Sequence, residues 1–379
     1  MRFLLVALVL TLACNDRDRG TNETPMPAKV ERLGPADVSI LFPASSALWR
    51  ADLATVGGPL LPRERFALNN RSLVKELPDE VEYESLRVVS MRFDPCFQRS
   101  IGGPCEPQIR LVFQASPDGK TFLDGAVHAL YALTPAAFEA ALGALDQLVD
   151  HPAEGPLGVH PRLVREGLEG PFALGLAAIA KEHLGPSTLT RVTFMTRTEA
   201  PAGQWQFSGF EILDVQDNGK DHARIPIAGI GVTMQNVTRN RRGPDTDVTF
   251  DYTVHPLFAE KDGRRGASGT YLAELPLDAK RSVHAWALRQ ESPTSHVPDT
   301  TDCASCHVAN HVGRHLESLS PELGRPEVPR HIAINEPNPD NLRAFGYFDT
   351  EPQVAQRTAN ETAAVLSRLA GPKERWFTP

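Results

Sequence analysis

The sequence predicts an α+β protein: a large, mostly antiparallel β domain with two helices, followed by a small α-helical segment. Three observations lead there. Period-two alternation of apolar and polar residues recurs between about residues 36 and 290. Two stretches inside that region carry helical spacing instead. Residues 303–379 open and close on helical patterns with a Pro-rich stretch between them.

Taken in order, the strands come first. Ile109, Leu111 and Phe113 alternate with Gln108, Arg110 and Gln114, and residues 248–254 alternate in the same way. Segments 86–93, 121–132, 189–197, 204–213, 225–234 and 283–289 are further strand candidates. Pro117-Asp118-Gly119 and Asp217-Asn218-Gly219 read as hairpin turns. Thr134-Pro135 supplies a helix cap and a first-turn proline, and Phe138, Leu142, Leu145 and Val149 follow at helical spacing. A second helix over 171–184 is apolar nearly all round and stops at Gly185-Pro186, which predicts burial between layers. Both helices are expected on one face of the sheet. Residues 291–302 read as a linker, and a helix is expected from Cys303 to about Leu319. Residues 321–340 should have little regular structure. A last helix is predicted over 359–370, with Thr358 and Glu361 at capping-box spacing, a stripe of Val365, Leu366 and Leu369, and a stop at Gly371-Pro372.

The chain has 379 residues, 41% hydrophobic and 23% charged, enough for more than one domain with a real core. Residues 1–13 pair Arg2 with a short apolar run, too short for a stable membrane span and fit for a cleaved export signal. The ending Thr11-Leu12-Ala13-Cys14 resembles a bacterial lipoprotein signal, although Leu10 and Leu12 straddle the slot where that family carries Leu. The resemblance implies lipid on Cys14 and an envelope protein on the periplasmic side of the inner or outer membrane. An ordinary secretory signal is the other reading. Residues 14–35 are polar and read as a flexible tether. The whole chain carries net charge −8; without residues 1–13 it loses Arg2 and carries 38 basic against 47 acidic side chains, net −9. That balance argues against nucleic acid as a partner. No Walker loop, dinucleotide-binding glycine fingerprint or G-x-S-x-G elbow is present.

The most specific signal is Cys303-Ala304-Ser305-Cys306-His307. C-x-x-C-H is a haem-attachment pattern: two thiols three positions apart can each bond one porphyrin, and the next imidazole then falls beneath the iron. From these residues the region 291–379 resembles a c-type cytochrome. The resemblance implies one covalent haem c, thioethers at Cys303 and Cys306, and His307 as proximal iron ligand. It also implies one-electron transfer to a redox partner protein, with residues 36–290 in an undefined role. With lipid on Cys14 and haem on Cys303 and Cys306, Cys96 and Cys105 remain, and an exported protein would oxidise them to a disulfide.

Many members of that family use a downstream Met as second axial ligand, but no Met follows the motif here. His331, in the Pro-rich stretch, is the expected distal ligand; His284, His296, Met234 or an open site are alternatives. His311 and His315 are expected to bond a propionate or to face solvent, and Trp205, Phe207 and Phe210 to belong to the sheet core. Two other functions stay open. One is a haem peroxidase-like oxidoreductase with an open distal site, for which Arg330, Arg343 and Glu336 lie in the right region. The other is a non-haem interaction lipoprotein in which Cys303 and Cys306 form a disulfide.

Overall fold

The computed structural model describes residues 32–69, 72–73, 77, 79–198, 204–217, 220–228, 232–238, 272–323, 331 and 342–379. The signal, most of the tether, the expected strand at 248–254, Arg330 and Glu336 lie outside them.

The strands are β1 (Ser39–Leu41), β2 (Ala54–Thr55), β3 (Gly58–Pro59), β4 (Leu86–Phe97), β5 (Glu106–Ala115), β6 (Gly125–Ala132), β7 (Leu189–Thr198), β8 (Gln204–Asp217), β9 (Lys220–Arg224), β10 (Met234–Thr238), β11 (Phe345–Phe348) and β12 (Glu351–Val354). The helices are α1 (Pro35–Val38), α2 (Arg63–Phe66), α3 (Asp79–Ser85), α4 (Pro135–Leu148), α5 (Pro161–Glu166), α6 (Pro171–His183), α7 (Leu277–Glu291), α8 (Cys303–Leu319) and α9 (Gln356–Leu369). An eight-stranded antiparallel sheet runs β1-β4-β5-β6-β7-β8-β10, with β9 also paired to β8. The expected large antiparallel β region is therefore present.

The sheet separates two chemistries because side chains alternate faces along each strand. Met91, Leu111, Ala129, Val192 and Phe210 face one another across five strands and are buried. Helices α4 and α6 pack on this face; Phe138 of α4 meets Phe93 at 6.4 Å between ring centroids. Thr134 caps α4 as expected, its side chain accepting from the Ala137 amide. α6 is amphipathic rather than buried all round: Phe172, Leu176 and Ile179 face the core while Leu174 is exposed.

One residue further along, Arg92, Arg110, Leu130, Arg191 and Glu211 form the adjacent cross-strand row on the opposite face. Helices α7, α8 and α9 and the β11–β12 hairpin lie over that side. Met195, Trp205 and Phe207 of the sheet join Trp286, Val308, Val312 and Leu316 in a second apolar cluster. Phe345, Tyr347, Val354, Val365 and Leu369 from the chain's end join the larger core instead.

Three sequence expectations are corrected. Residues 283–289 are helix, within α7, where Val283, Trp286, Ala287 and Gln290 are buried at helical spacing. Residues 225–228 are not strand; the pairing starts at Met234. The last helix begins at Gln356 with Ala355 at the cap position, so Thr358 and Glu361 form no capping box. Thr358 instead donates its hydroxyl to the Ala344 carbonyl at 2.9 Å. Among the described residues α1, α2, α3, α5 and α7 also add to the two helices expected before residue 290.

Candidate functional site

α8 starts at Cys303, as the sequence predicts. Asp302 fixes the start: its carboxylate accepts from the Ser305 amide at 3.1 Å, a cap that stabilises by about 1 kcal/mol. Gln235 of β10 ties this cap to the sheet, accepting from the Ala304 amide at 2.9 Å and donating to Asp302. The motif is thereby held against the end of the sheet, with its residues on the first turn and a half of a helix.

Cys303, Cys306 and His307 all border one cavity of about 890 Å³, within the range of sites for sizeable small molecules. Its floor is the polar face of β4–β8, and parts of α8 and α9 wall it. Both thiols are free and partly accessible. Burial pushes the Cys303 thiol up to about 12, with Asp302 and Cys306 adding to the rise. Burial likewise raises Cys306. Thiols held protonated are the reverse of what thiolate redox catalysis or zinc binding uses. Among the described residues no group of three or more His, Cys, Asp and Glu side chains gathers as a metal-ligand set. Haem iron asks less of the protein, one or two axial ligands.

His307 is the best-positioned member. Its Nδ1 lies 2.7 Å from the Leu342 carbonyl, which can only accept, so Nδ1 carries the proton and Nε2 keeps its lone pair. The ring packs against Phe207, 4.7 Å between centroids. Burial lowers the His307 pKa, against the Leu342 hydrogen bond, which raises it. The Leu342 carbonyl is itself fixed by its neighbours. Arg343 pairs with Asp124 and donates from Nε to the Tyr347 carbonyl at 3.1 Å. Gln114 on the sheet bonds both backbone groups of Tyr347, at 2.7 and 2.9 Å. A Cβ at Gly346 would overlap the Gln114 amide, so this close approach requires glycine.

The rest of the wall divides into apolar and cationic parts. Phe207, Met195, Ile225, Ile227 and Val297 supply apolar surface. Among the described residues, six arginines, Arg92, Arg110, Arg191, Arg357, Arg368 and Arg375, face three acids, Asp94, Asp302 and Glu361, in a chain of net charge −8. Glu361 is the counter-charge of the buried group: it pairs with Arg92 and, at 2.6 Å, with Arg357. Its burial alone would raise its pKa, but Arg92, Arg357 and Arg110 hold it well below the usual carboxylate range. Arg357 also donates to the carbonyls of Gln290, Ser292 and His296, tying residues 290–296 to α9. Arg110 has no ion pair or side-chain hydrogen bond among the described residues, and its Nε is buried without a partner. These groups suit haem: apolar surface for a macrocycle, guanidinium groups for two carboxylates, an imidazole with an available lone pair, and two thiols on one wall.

Cys96 and Cys105 are disulfide-bonded, joining the end of β4 to the start of β5, and Cys96 borders the same cavity. His331 does not reach that wall. Its side chain is exposed, and its backbone amide donates to Asn360 Oδ1 at 3.1 Å. His284 is committed to Glu317 at 2.8 Å, between α7 and α8. His296 and Met234 are also absent from the lining, and Met234 is 37% exposed. His311 is buried on α8 rather than solvent-facing and does not line the cavity. Phe207, expected as sheet core, is buried in the second apolar cluster and also walls the site beside His307. Arg343 is neither surface nor cavity lining at the main site; it is buried in its pair with Asp124.

Sequence reasoning missed His128 on β6, which also borders the cavity. The available signal was one basic residue in an otherwise uncharged strand, Gly125–Ala132. Among the described residues, no helix is long and apolar enough to cross a membrane. No known protein family, curated protein or solved structure matches this chain.

Proposed function

We propose that this protein is an exported, lipid-anchored monohaem protein of the c-type cytochrome kind, which passes single electrons to a redox partner at a membrane surface. One observation carries the reading. Both motif thiols and the motif imidazole border a single cavity of about 890 Å³, and the imidazole's Nδ1 is engaged by the Leu342 carbonyl. That hydrogen bond leaves the Nε2 lone pair available to a metal and orients the ring, as outer partners do for histidine ligands.

Attachment needs no oxidant. Cys303 and Cys306 would hold the haem as thioethers, each thiol adding across one vinyl group with sulfur on the inner carbon and the thiol hydrogen on the outer one, so the cofactor would not be lost by dilution. Haem bound there would supply a one-electron couple. The protein's part would be to hold it: His307 at the iron, Phe207 against the His307 ring, and the arginines at the carboxylates. The lipid at Cys14 would keep this centre near the membrane.

The test is expression of the full chain in a host with a haem-attachment system, followed by haem staining of a denaturing gel. A stained band at about the chain mass of 41.4 kDa is the expected result. Cys306→Ala should greatly reduce the stain while circular dichroism stays unchanged. An unstained wild-type band in a host that matures other such proteins would overturn the proposal.

A further inference from the structure

Among the described residues two histidines border the cavity, and of these His307 belongs to the motif. The second, His128, lies near the middle of β6, opposite Val112 of β5 and Thr193 of β7. The next residue along this cross-strand row is Gly209 of β8. At Gly209 a Cβ would come within 3.0 Å of Thr193 Cγ2 and of Ile225 Cδ1. The glycine thus lets Ile225, another residue of the cavity wall, pack close to the sheet beside this row.

The ring of His128 has no hydrogen-bond partner among the described residues, and neither nitrogen is sealed off in the packing. The ring therefore presents an uncommitted nitrogen on the wall that also holds the motif.

Resting on the haem reading above, we propose that His128 is the second axial ligand of the iron, reaching it from the sheet while His307 reaches it from α8. Met195 is the rival, since it also borders the cavity and carries a thioether. But Met195 is 4% exposed and packed with Trp205 and Phe207 in the second apolar cluster. His128 has no such engagement. Two imidazoles saturate the iron, lower its potential relative to an imidazole–thioether pair, and suit electron transfer rather than chemistry on a small ligand.

The experiment uses the full chain carrying its haem, as wild type, His128→Ala and Met195→Leu. Gel staining reports attachment, and absorption and electron paramagnetic resonance spectra report spin state. The expected result is a low-spin wild type and a low-spin Met195→Leu. His128→Ala should lose the low-spin spectrum, bind carbon monoxide readily when reduced, and return to low spin with added imidazole. A His128→Ala protein that stays low-spin overturns the proposal, as does loss of low spin in Met195→Leu alone. If the alanine variant does not accumulate, near-infrared magnetic circular dichroism of the wild type decides, since bis-imidazole and imidazole–thioether irons absorb differently there. Stained but high-spin wild type overturns this inference alone; an unstained wild type overturns the haem reading with it.

Discussion

Met91, Leu111, Ala129, Val192 and Phe210 make one cross-strand row of the sheet, and Arg92, Arg110, Leu130, Arg191 and Glu211 make the next. The two rows are one residue apart in sequence and on opposite faces in space. The first could serve in any sheet that packs against helices. The second breaks ordinary rules: Arg92 and Arg110 are directly opposed across β4 and β5, where like charges destabilise. Proteins tolerate such conflicts where function needs them. The comparison teaches that the apolar face makes the fold and the charged face makes the site.

The sharpest test of that division is on the apolar side. Phe138 is fully buried and meets both Phe93 and Phe377. Phe138→Ala should cost about 3–5 kcal/mol of stability, read by denaturant unfolding of the protein without haem. A cost under about 1 kcal/mol would mean that α4 does not hold the sheet.

Breaking the charge pairing on the other face should cost less. Glu361→Gln removes the carboxylate that Arg92 and Arg357 share, leaving Arg92 with Asp94 at 3.3 Å. The expected loss is roughly 3 kcal/mol, the low end for an uncompensated buried ion pair. The sign of the pH dependence follows from the same contacts. The folded carboxyl of Glu361 sits below its unfolded value of about 4.3, so its stabilisation is complete above that pH. It is lost as pH falls further, because the unfolded chain takes up a proton that the native site does not. Wild type should therefore lose stability more steeply than Glu361→Gln between about pH 5 and pH 3. Parallel acid limbs for the two proteins would show that this pair contributes nothing.

The two faces were also unequally legible. Alternation announced β5, because a half-buried strand leaves a period of two in the sequence whatever packs on it, while β4, β6, β7 and β8 could be read only as strand candidates. Thr134 and Cys303 marked helix starts for local reasons, a cap and a motif. α7 was misread because Val283, Ala285 and Ala287 happen to alternate; Pro276 and Asp278 were the better signal, as entry residues of a helix. The true start of α9 was invisible, because Ala355 caps nothing and the helix is held instead by tertiary bonds to Ala344 and to the 290–296 carbonyls. At the site, the five motif residues could be read directly. Leu342 could not, since its role lies in a carbonyl 35 residues away from His307. His128 and the arginines become a site only when separate strands are laid side by side.

The smallest effect is expected where the charged row is least compensated. Arg110 sits between Arg92 on β4 and Leu130 on β6, with its guanidinium 5.6 Å from the Phe97 ring and Arg191 at 5.5 Å from the same ring. Burial, and then Arg92, pull its pKa down to about 10. A cation weakened in this way gives little to the fold without a ligand. Arg110→Met keeps the length and the apolar stem while removing the charge and the orphaned Nε. In the protein without haem this change should be neutral or stabilising by up to about 1 kcal/mol, as for other buried charges replaced by apolar groups. On the haem reading proposed above, the same variant should lose that advantage in the haem-loaded protein, because the wild-type guanidinium would then have a carboxylate to meet. A loss in the haem-free protein as large as that of Phe138→Ala would make Arg110 part of the scaffold, and the division between the two faces would fail at its most exposed point.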